Sequence, residues 1–251
     1  MRQQYLDFLG REPDESGFNF WVNNIESCGA SSQCREVKRI DTSAAFFLSI
    51  EFQQTGFVVY RAYEAAYGDL ENGPVPLTLR EFTPDTREIG KGVVVLQNGW
   101  QQKLEANKQA FMMEFVQRPR FTAAYPISMS PTEFVDKLFA TAKVPATDPD
   151  YSAAIALFGT TTETSDVNAR ASVLRRLIEN SSFTRKQFNP AFVLMQYFGY
   201  LRRDPNSGRD TDFKGYTFWL DKLNTFNGNF DNAELVKAFL ASTEYRERFP
   251  R

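Results

Sequence analysis

"DESGFNFWVNNI" (Asp14–Ile25) returns near the other end of the chain as "DFKGYTFWLDKL" (Asp212–Leu223). Gly17, Phe18, Phe20, Trp21, Val22 and Ile25 of the first stretch stand opposite Gly215, Tyr216, Phe218, Trp219, Leu220 and Leu223 of the second, at identical offsets. In each copy the apolar positions fall at i, i+3, i+4 and i+7, the spacing of one helix face. The aspartate heading each copy, Asp14 or Asp212, supplies an N-cap carboxylate for a free backbone N–H of the first turn. A glycine inside a helix costs about 1 kcal/mol against alanine, so Gly17 and Gly215 are read as admitting a close neighbour. Trp21 and Trp219 are accordingly expected to be buried at equivalent places in two superimposable helical units.

The match extends both ways. Upstream, "QYLDFLGREP" (Gln4–Pro13) pairs with "QYFGYLRRDP" (Gln196–Pro205), setting Tyr5 against Tyr197, Phe8 against Tyr200 and Arg11 against Arg203. The proline ends one helix before the aspartate caps the next. Downstream, "AFFLSIEF" (Ala45–Phe52) pairs with "AFLASTEY" (Ala238–Tyr245). One unit thus reads as a helix, an Arg-x-Pro turn, a Gly-Trp helix, and a third helix ending in Ser-x-Glu-aromatic. Because both charges recur, Arg11 is expected to pair with Glu51, and Arg203 with Glu244.

Two weaker copies lie between. "YRAYEAAYG" (Tyr60–Gly68) opens like a unit and "EFVQRPRF" (Glu114–Phe121) closes like one. "SPTEFVDKLFATA" (Ser130–Ala142) opens another with a capping box, Ser130 before Pro131 and Glu133, and "RLIENSSF" (Arg176–Phe183) closes it. The expected organisation is an all-α chain of repeated three-helix units: 1–57, a degenerate 58–121 with an irregular insertion, a degenerate 130–183, and 189–251. Within 70–99 the run "VVVL" reads equally as a short strand or a buried helical turn. The first unit lacks the capped opening "NPAFVLMQYF" (Asn189–Phe198) of the last, so the natural chain is expected to extend before Met1.

The pattern Tyr-x-x-Phe-Leu-Gly-Arg-x-Pro-Asp, then Gly with aromatic-Trp, then Ser-x-Glu-Phe, resembles the bacterial domain-of-unknown-function family numbered 4214, itself similar to the phycobilisome linker domain. The first and last units carry the match; the middle two share only its ends. The resemblance implies an all-helical module in secreted or surface-attached bacterial proteins, serving attachment or assembly. It implies no catalytic residue.

Composition narrows the chemistry. Lys and Arg number 29 against 31 Asp and Glu, with no basic block to track phosphates or anionic lipid, which argues against nucleic acid. His is absent, removing His general bases and every His-containing metal site. No apolar run approaches the ~20 residues needed to span a bilayer, so no membrane insertion is expected. The start lacks the basic flank and long apolar segment of a signal peptide. Cys28 and Cys34 bracket "GASSQ" between the second and third helices, where the first unit is longer than the last. A disulfide there would pin the enlarged loop and imply an oxidising compartment, extracellular or cell-surface; the alternative is two free cytosolic thiols.

Candidate sites are sparse. "DPNSGRDTD" (Asp204–Asp212) sets Asp204, Asn206, Asp210 and Asp212 near the alternate spacing of a calcium loop, but Gly208 is misplaced and no Glu occupies the twelfth position. A solvated turn with a helix cap is the reading preferred, with no metal and no cofactor. "GKG" (Gly90–Gly92) matches neither a P-loop nor a dinucleotide fingerprint. The expected function is a non-catalytic extracellular structural or interaction module, with a protein partner, cell-envelope polymer or self-association. Its binding surface is expected on outward helix faces of the degenerate units, above all on surface aromatics between Leu70 and Gly99. One alternative is a carbohydrate-binding module stacking sugars on Trp100 or a tyrosine. A further one is a polysaccharide hydrolase, which needs two carboxyls converging across a cleft.

Overall fold

The computed structural model describes residues 1–249, and among them there is no strand. The principal helices are α1 (Glu15–Glu26), α2 (Ser32–Leu48), α3 (Gly56–Tyr67), α4 (Leu79–Gly90), α5 (Trp100–Phe115), α6 (Pro131–Thr141), α7 (Pro149–Ala156), α8 (Val167–Glu179), α9 (Phe188–Gln196), α10 (Lys214–Thr225) and α11 (Leu235–Ala241). The chain divides into two compact units. The first comprises Met1–Gly56, Thr78–Arg87 and Asn189–Arg251; the second comprises Phe57–Leu77 and Glu88–Phe188. The expected segments 1–57 and 189–251 therefore lie almost wholly in the first unit, and 130–183 lies in the second.

The first unit is built on rings. Phe8 stands 4.4 Å from Phe47 and 5.2 Å from Tyr200, and Phe47 lies 5.4 Å from Phe192. Each such pair adds about 0.5–1.5 kcal/mol beyond its buried area. Gly199 is needed here because a Cβ would fall inside the Phe8 ring. The Tyr200 hydroxyl ends in the core against Ser43 Oγ at 2.5 Å, and Ser43 in turn donates to Gln4 at 3.1 Å.

Both ends of the chain enter this core by the same backbone device. Tyr5–Leu9 and Tyr197–Leu201 are π-helical turns, each closed by an N–H bonding back to the tyrosine carbonyl from a left-handed residue, Gly10 in one and Arg202 in the other. The Ser-x-Glu-aromatic stretch is a fresh start rather than a helix end. Ser49 and Ser242 leave the helix at ψ near +145°, donate back to Phe46 and Phe239, and accept from the amides of Phe52 and Tyr245. Each serine thus caps a new short helix, Ile50–Gln53 or Thr243–Glu247, whose first turn presents the glutamate.

In the second unit, α5 packs on α8. Phe115, Phe121, Tyr125 and Phe134 form a chain of ring contacts through its core. The Ser130–Glu133 capping box closes reciprocally, with Pro131 at the first helical position. Residues 70–99 resolve the ambiguity of "VVVL" in favour of neither option. Thr78 and Glu81 cap α4, and residues 91–99 form turns in which Leu96 takes a positive φ of 77°.

Two expectations are corrected here. Trp21 and Trp219 are only partly buried, and α1 has no fully buried residue at all, because the helix lies at the rim of its unit with one side of its apolar stripe uncovered. Asp212 does not cap α10 as Asp14 caps α1. α10 starts after Phe213, and Asp212 accepts from the Lys214 amide at 3.0 Å and pairs with the Lys214 ammonium at 2.8 Å.

Candidate functional site

Around each Arg-x-Pro turn the same five-part cluster assembles within the first unit. Arg11 binds Glu51 in a fork, Nε to Oε1 at 2.7 Å and Nη2 to Oε2 at 2.8 Å, and reaches Asp14 at 3.3 Å. Its guanidinium lies 5.2 Å from the Tyr5 ring centre. Arg203 repeats this with Glu244 at 2.5 and 3.1 Å, above Tyr197 at 5.4 Å. Here the second carboxylate is Asp210, at 2.6 Å, and not Asp212. The inserted turn moves the aligned aspartate away and brings another into the same role.

The helix glycines complete the cluster. A Cβ on Gly17 would stand 2.5 Å from the Tyr5 hydroxyl oxygen, and one on Gly215 would stand 2.7 Å from that of Tyr197. The close neighbour each glycine admits is thus a tyrosine hydroxyl. Burial pushes both phenols above their ordinary pKa, with Asp14 and Asp210 adding to the effect. Hydrogen bonds from the Gly17 amide and the Ser16 hydroxyl hold the Asp14 carboxyl below its usual range. These charges pair with one another, and each cluster sets the angle of its helix, α1 or α10.

That angle turns one aromatic outward in each helix. Phe20 is 63% exposed and Phe218, its counterpart, is 58% exposed. Each stands edge-on to the neighbouring tryptophan, 4.9 Å from Trp21 and 5.1 Å from Trp219. Sequence periodicity does mark these positions as off the buried stripe. What it lacks is any reason for a phenylalanine there.

The remaining candidates are dispersed. In the 204–212 turn, Asp204 accepts from the Leu79 amide at 2.6 Å, Asp210 is taken by Arg203 and Asp212 by Lys214, while Asn206 is exposed. Among the described residues no group of three or more Cys, Asp or Glu could hold a metal ion. Cys28 and Cys34 are joined, tying the turn after α1 to the first turn of α2. Trp100 is partly buried at the start of α5. The expected surface aromatics of 70–99 are absent: the one aromatic there, Phe82, is buried, and the exposed large apolar residues are Leu70 and Leu96.

The second unit carries buried charge. Arg170 gives one nitrogen to the Tyr125 carbonyl and another to the carbonyl and hydroxyl of Thr164, with Phe134 below it at 4.7 Å. Burial pulls its pKa down to about 10. Glu64 is fully buried, bonded through Oε1 to Gln187 at 3.2 Å while its Oε2 finds no hydrogen-bond partner. Burial and the neighbouring Asp69 carboxylate push Glu64 up to about 8, against the pull of Lys143 and Lys186.

A concave site opens on the first unit. A groove of about 910 Å³ runs between α1, α2 and the α11 region, floored by Val22, Ile25, Ile40 and Leu240 and rimmed by Arg35, Arg39, Lys237 and Arg246. No described helix is long and apolar enough to cross a membrane. No protein-family model, curated protein or solved structure matches the chain.

Proposed function

We propose that this chain is a non-catalytic, all-helical interaction module of a secreted or surface-attached bacterial protein, of the kind found in domain-of-unknown-function family 4214. It would hold that protein to a partner protein or to cell-envelope polymer. The observation that carries this reading is the pair of exposed phenylalanines, Phe20 and Phe218, set at matching places by two clusters whose charges are used up internally. A large aromatic more than half exposed touches its own chain only along one edge, and aromatic anchors dominate protein interfaces. The Cys28–Cys34 bond supports an oxidising location.

The test is pull-down of the purified chain by isolated cell-envelope polymer and by the other segments of its parent protein, with Phe20→Ser and Phe218→Ser made singly and together. Retention should fall about tenfold or more in the double variant, the size expected for loss of two modest aromatic anchors, with the circular dichroism unchanged. Unaltered retention in the double variant, or turnover of the polymer abolished by one Asp or Glu substitution, would refute it.

A further inference from the structure

Asparagine followed by glycine occurs three times, at Asn72–Gly73, Asn98–Gly99 and Asn227–Gly228, each pair in a turn between helices. Such a pair can react with itself. The glycine nitrogen attacks the asparagine side-chain carbon Cγ, and a glycine has no Cβ to hinder the approach. The N–H proton goes to hydroxide, an N–Cγ bond forms, and the Cγ–Nδ2 bond breaks as ammonia leaves with a proton from water. Water then opens the cyclic imide at either carbonyl, giving aspartate or, with the main chain rerouted through the side chain, isoaspartate. Either product carries a carboxylate where an amide stood. Water is the co-reactant, and nothing is oxidised or reduced.

The reaction needs the peptide plane between the two residues to turn and the glycine N–H to be free. The three turns differ in this. The Gly73 N–H donates to the Leu70 carbonyl at 3.1 Å, and the Leu70 N–H donates to the Pro74 carbonyl at 3.1 Å. The Gly228 N–H donates to the Leu223 carbonyl at 2.9 Å, and a Cβ on Gly228 would meet Asn189 Oδ1 at 2.9 Å. Both of those planes are held. In the Asn98–Gly99 plane, neither the Asn98 carbonyl nor the Gly99 N–H bonds to a described residue. Both residues are exposed, and a Cβ built on Gly99 meets no described atom within 4 Å. The turn is closed around them by the Trp100 N–H, which donates to the Gln97 carbonyl at 3.2 Å.

The helix that follows gives the product a consequence. Gly99 is the N-cap of α5, at φ 78°; no described side chain caps the first turn, and no acidic residue lies in it. Negative charge near a helix N-terminus is stabilising. We propose that Asn98–Gly99 is a self-modification site. In the folded chain Asn98 becomes aspartate and isoaspartate ahead of the other two pairs, and the new carboxylate supplies the charge that the start of α5 lacks.

The test is ageing of the full chain at mildly alkaline pH, folded and in denaturing urea, followed by trypsin and peptide mass. Asn98 is read from the peptide Gly92–Lys103, which holds no other asparagine. In the folded chain Asn98 should convert about tenfold or more faster than Asn72 and Asn227, because a bonded N–H reacts only after its turn opens. In urea, where no turn is held, the three should convert within about threefold of one another. Asn98→Asp places a carboxylate there from the outset. It should raise the urea midpoint of the second unit, read through Trp100 with Trp21→Phe and Trp219→Phe, and the gain should shrink in high salt. Conversion of Asn98 no faster than the others in the folded chain, a lead for Asn98 that persists undiminished in urea, or a midpoint unmoved or lowered by Asn98→Asp would each overturn the proposal.

Discussion

Replacing Glu64 by glutamine should change how the stability of the second unit responds to pH. In the folded chain Glu64 keeps its proton up to about 8, whereas its ordinary value is 4.5. Between those values the folded state binds the proton that the unfolded chain has released. The contribution of Glu64 to stability is therefore greatest below about 4.5, falls as pH rises through the window, and levels off above about 8. The full interval is worth about 5 kcal/mol as a ceiling. Local opening to water and the coupling to Asp69, Lys143 and Lys186 reduce the realised loss to about 2–3 kcal/mol. Glu64→Gln keeps the shape and the bond to Gln187 while removing the ionisation. The assay is urea unfolding at pH 5, 6, 7 and 8, read through Trp100, the only tryptophan of the second unit, in a background of Trp21→Phe and Trp219→Phe. The variant should match its parent near pH 5 and exceed it near pH 8. Curves that stay parallel over the whole range would refute a buried protonated Glu64.

Three further outcomes are expected. Gly17→Ala should destabilise by about 2 kcal/mol through overpacking, the reverse of the usual helix preference, and Tyr5→Phe in the same chain should recover part of the loss by removing the oxygen the new methyl meets; a double-mutant cycle in urea measures the coupling. Arg11→Met should cost about 3–5 kcal/mol because Glu51 is left buried without its counter-charge, while Arg203→Met should cost about 1–2 kcal/mol because Glu244 is more exposed; equal midpoints for the two variants in thermal unfolding would contradict this. Reduction of Cys28–Cys34 should lower stability by about 2 kcal/mol, the loop-entropy value for so short a ring, and intact mass should change on alkylation only after reductant is added.

The all-helical class was legible because period 3.6 and the caps agree: Asp14 heads α1, Ser130 closes its box with Glu133, and Pro131 takes the position that needs no N–H. Periodicity could not report how completely a face is covered. Trp21 sits on the inward stripe of α1, but its exposure depends on whether a further helix lies over it, which is a matter of tertiary neighbours. Identity also misled at Asp212, since the cluster around Arg203 needs a carboxylate at a point in space and the inserted turn delivers Asp210 there. Pro84 inside α4 concealed that helix, as prolines are read as helix ends. Of the site itself, the recurrence of Arg11, Glu51, Arg203 and Glu244 was visible on paper. The Tyr5 ring beneath Arg11 and the partial exposure of Ile25 were not, because tertiary neighbours have no signature in residue type; for Phe20 the period marked the outward side and gave no reason for an aromatic there.

Arg170 fastens two distant points of the chain to one cation: the carbonyl of Tyr125 and the turn at Thr164. Everything between them leaves and returns through a fixed base, with Phe158 and Thr164 buried and Gly159–Glu163 exposed at the tip. Foreign sequence spliced in after Thr162 would hang outside that clamp without pulling on the helices beneath it. The tip is thus a natural place to graft an epitope or a label, and the carbonyl-bound arginine is what makes the graft tolerable.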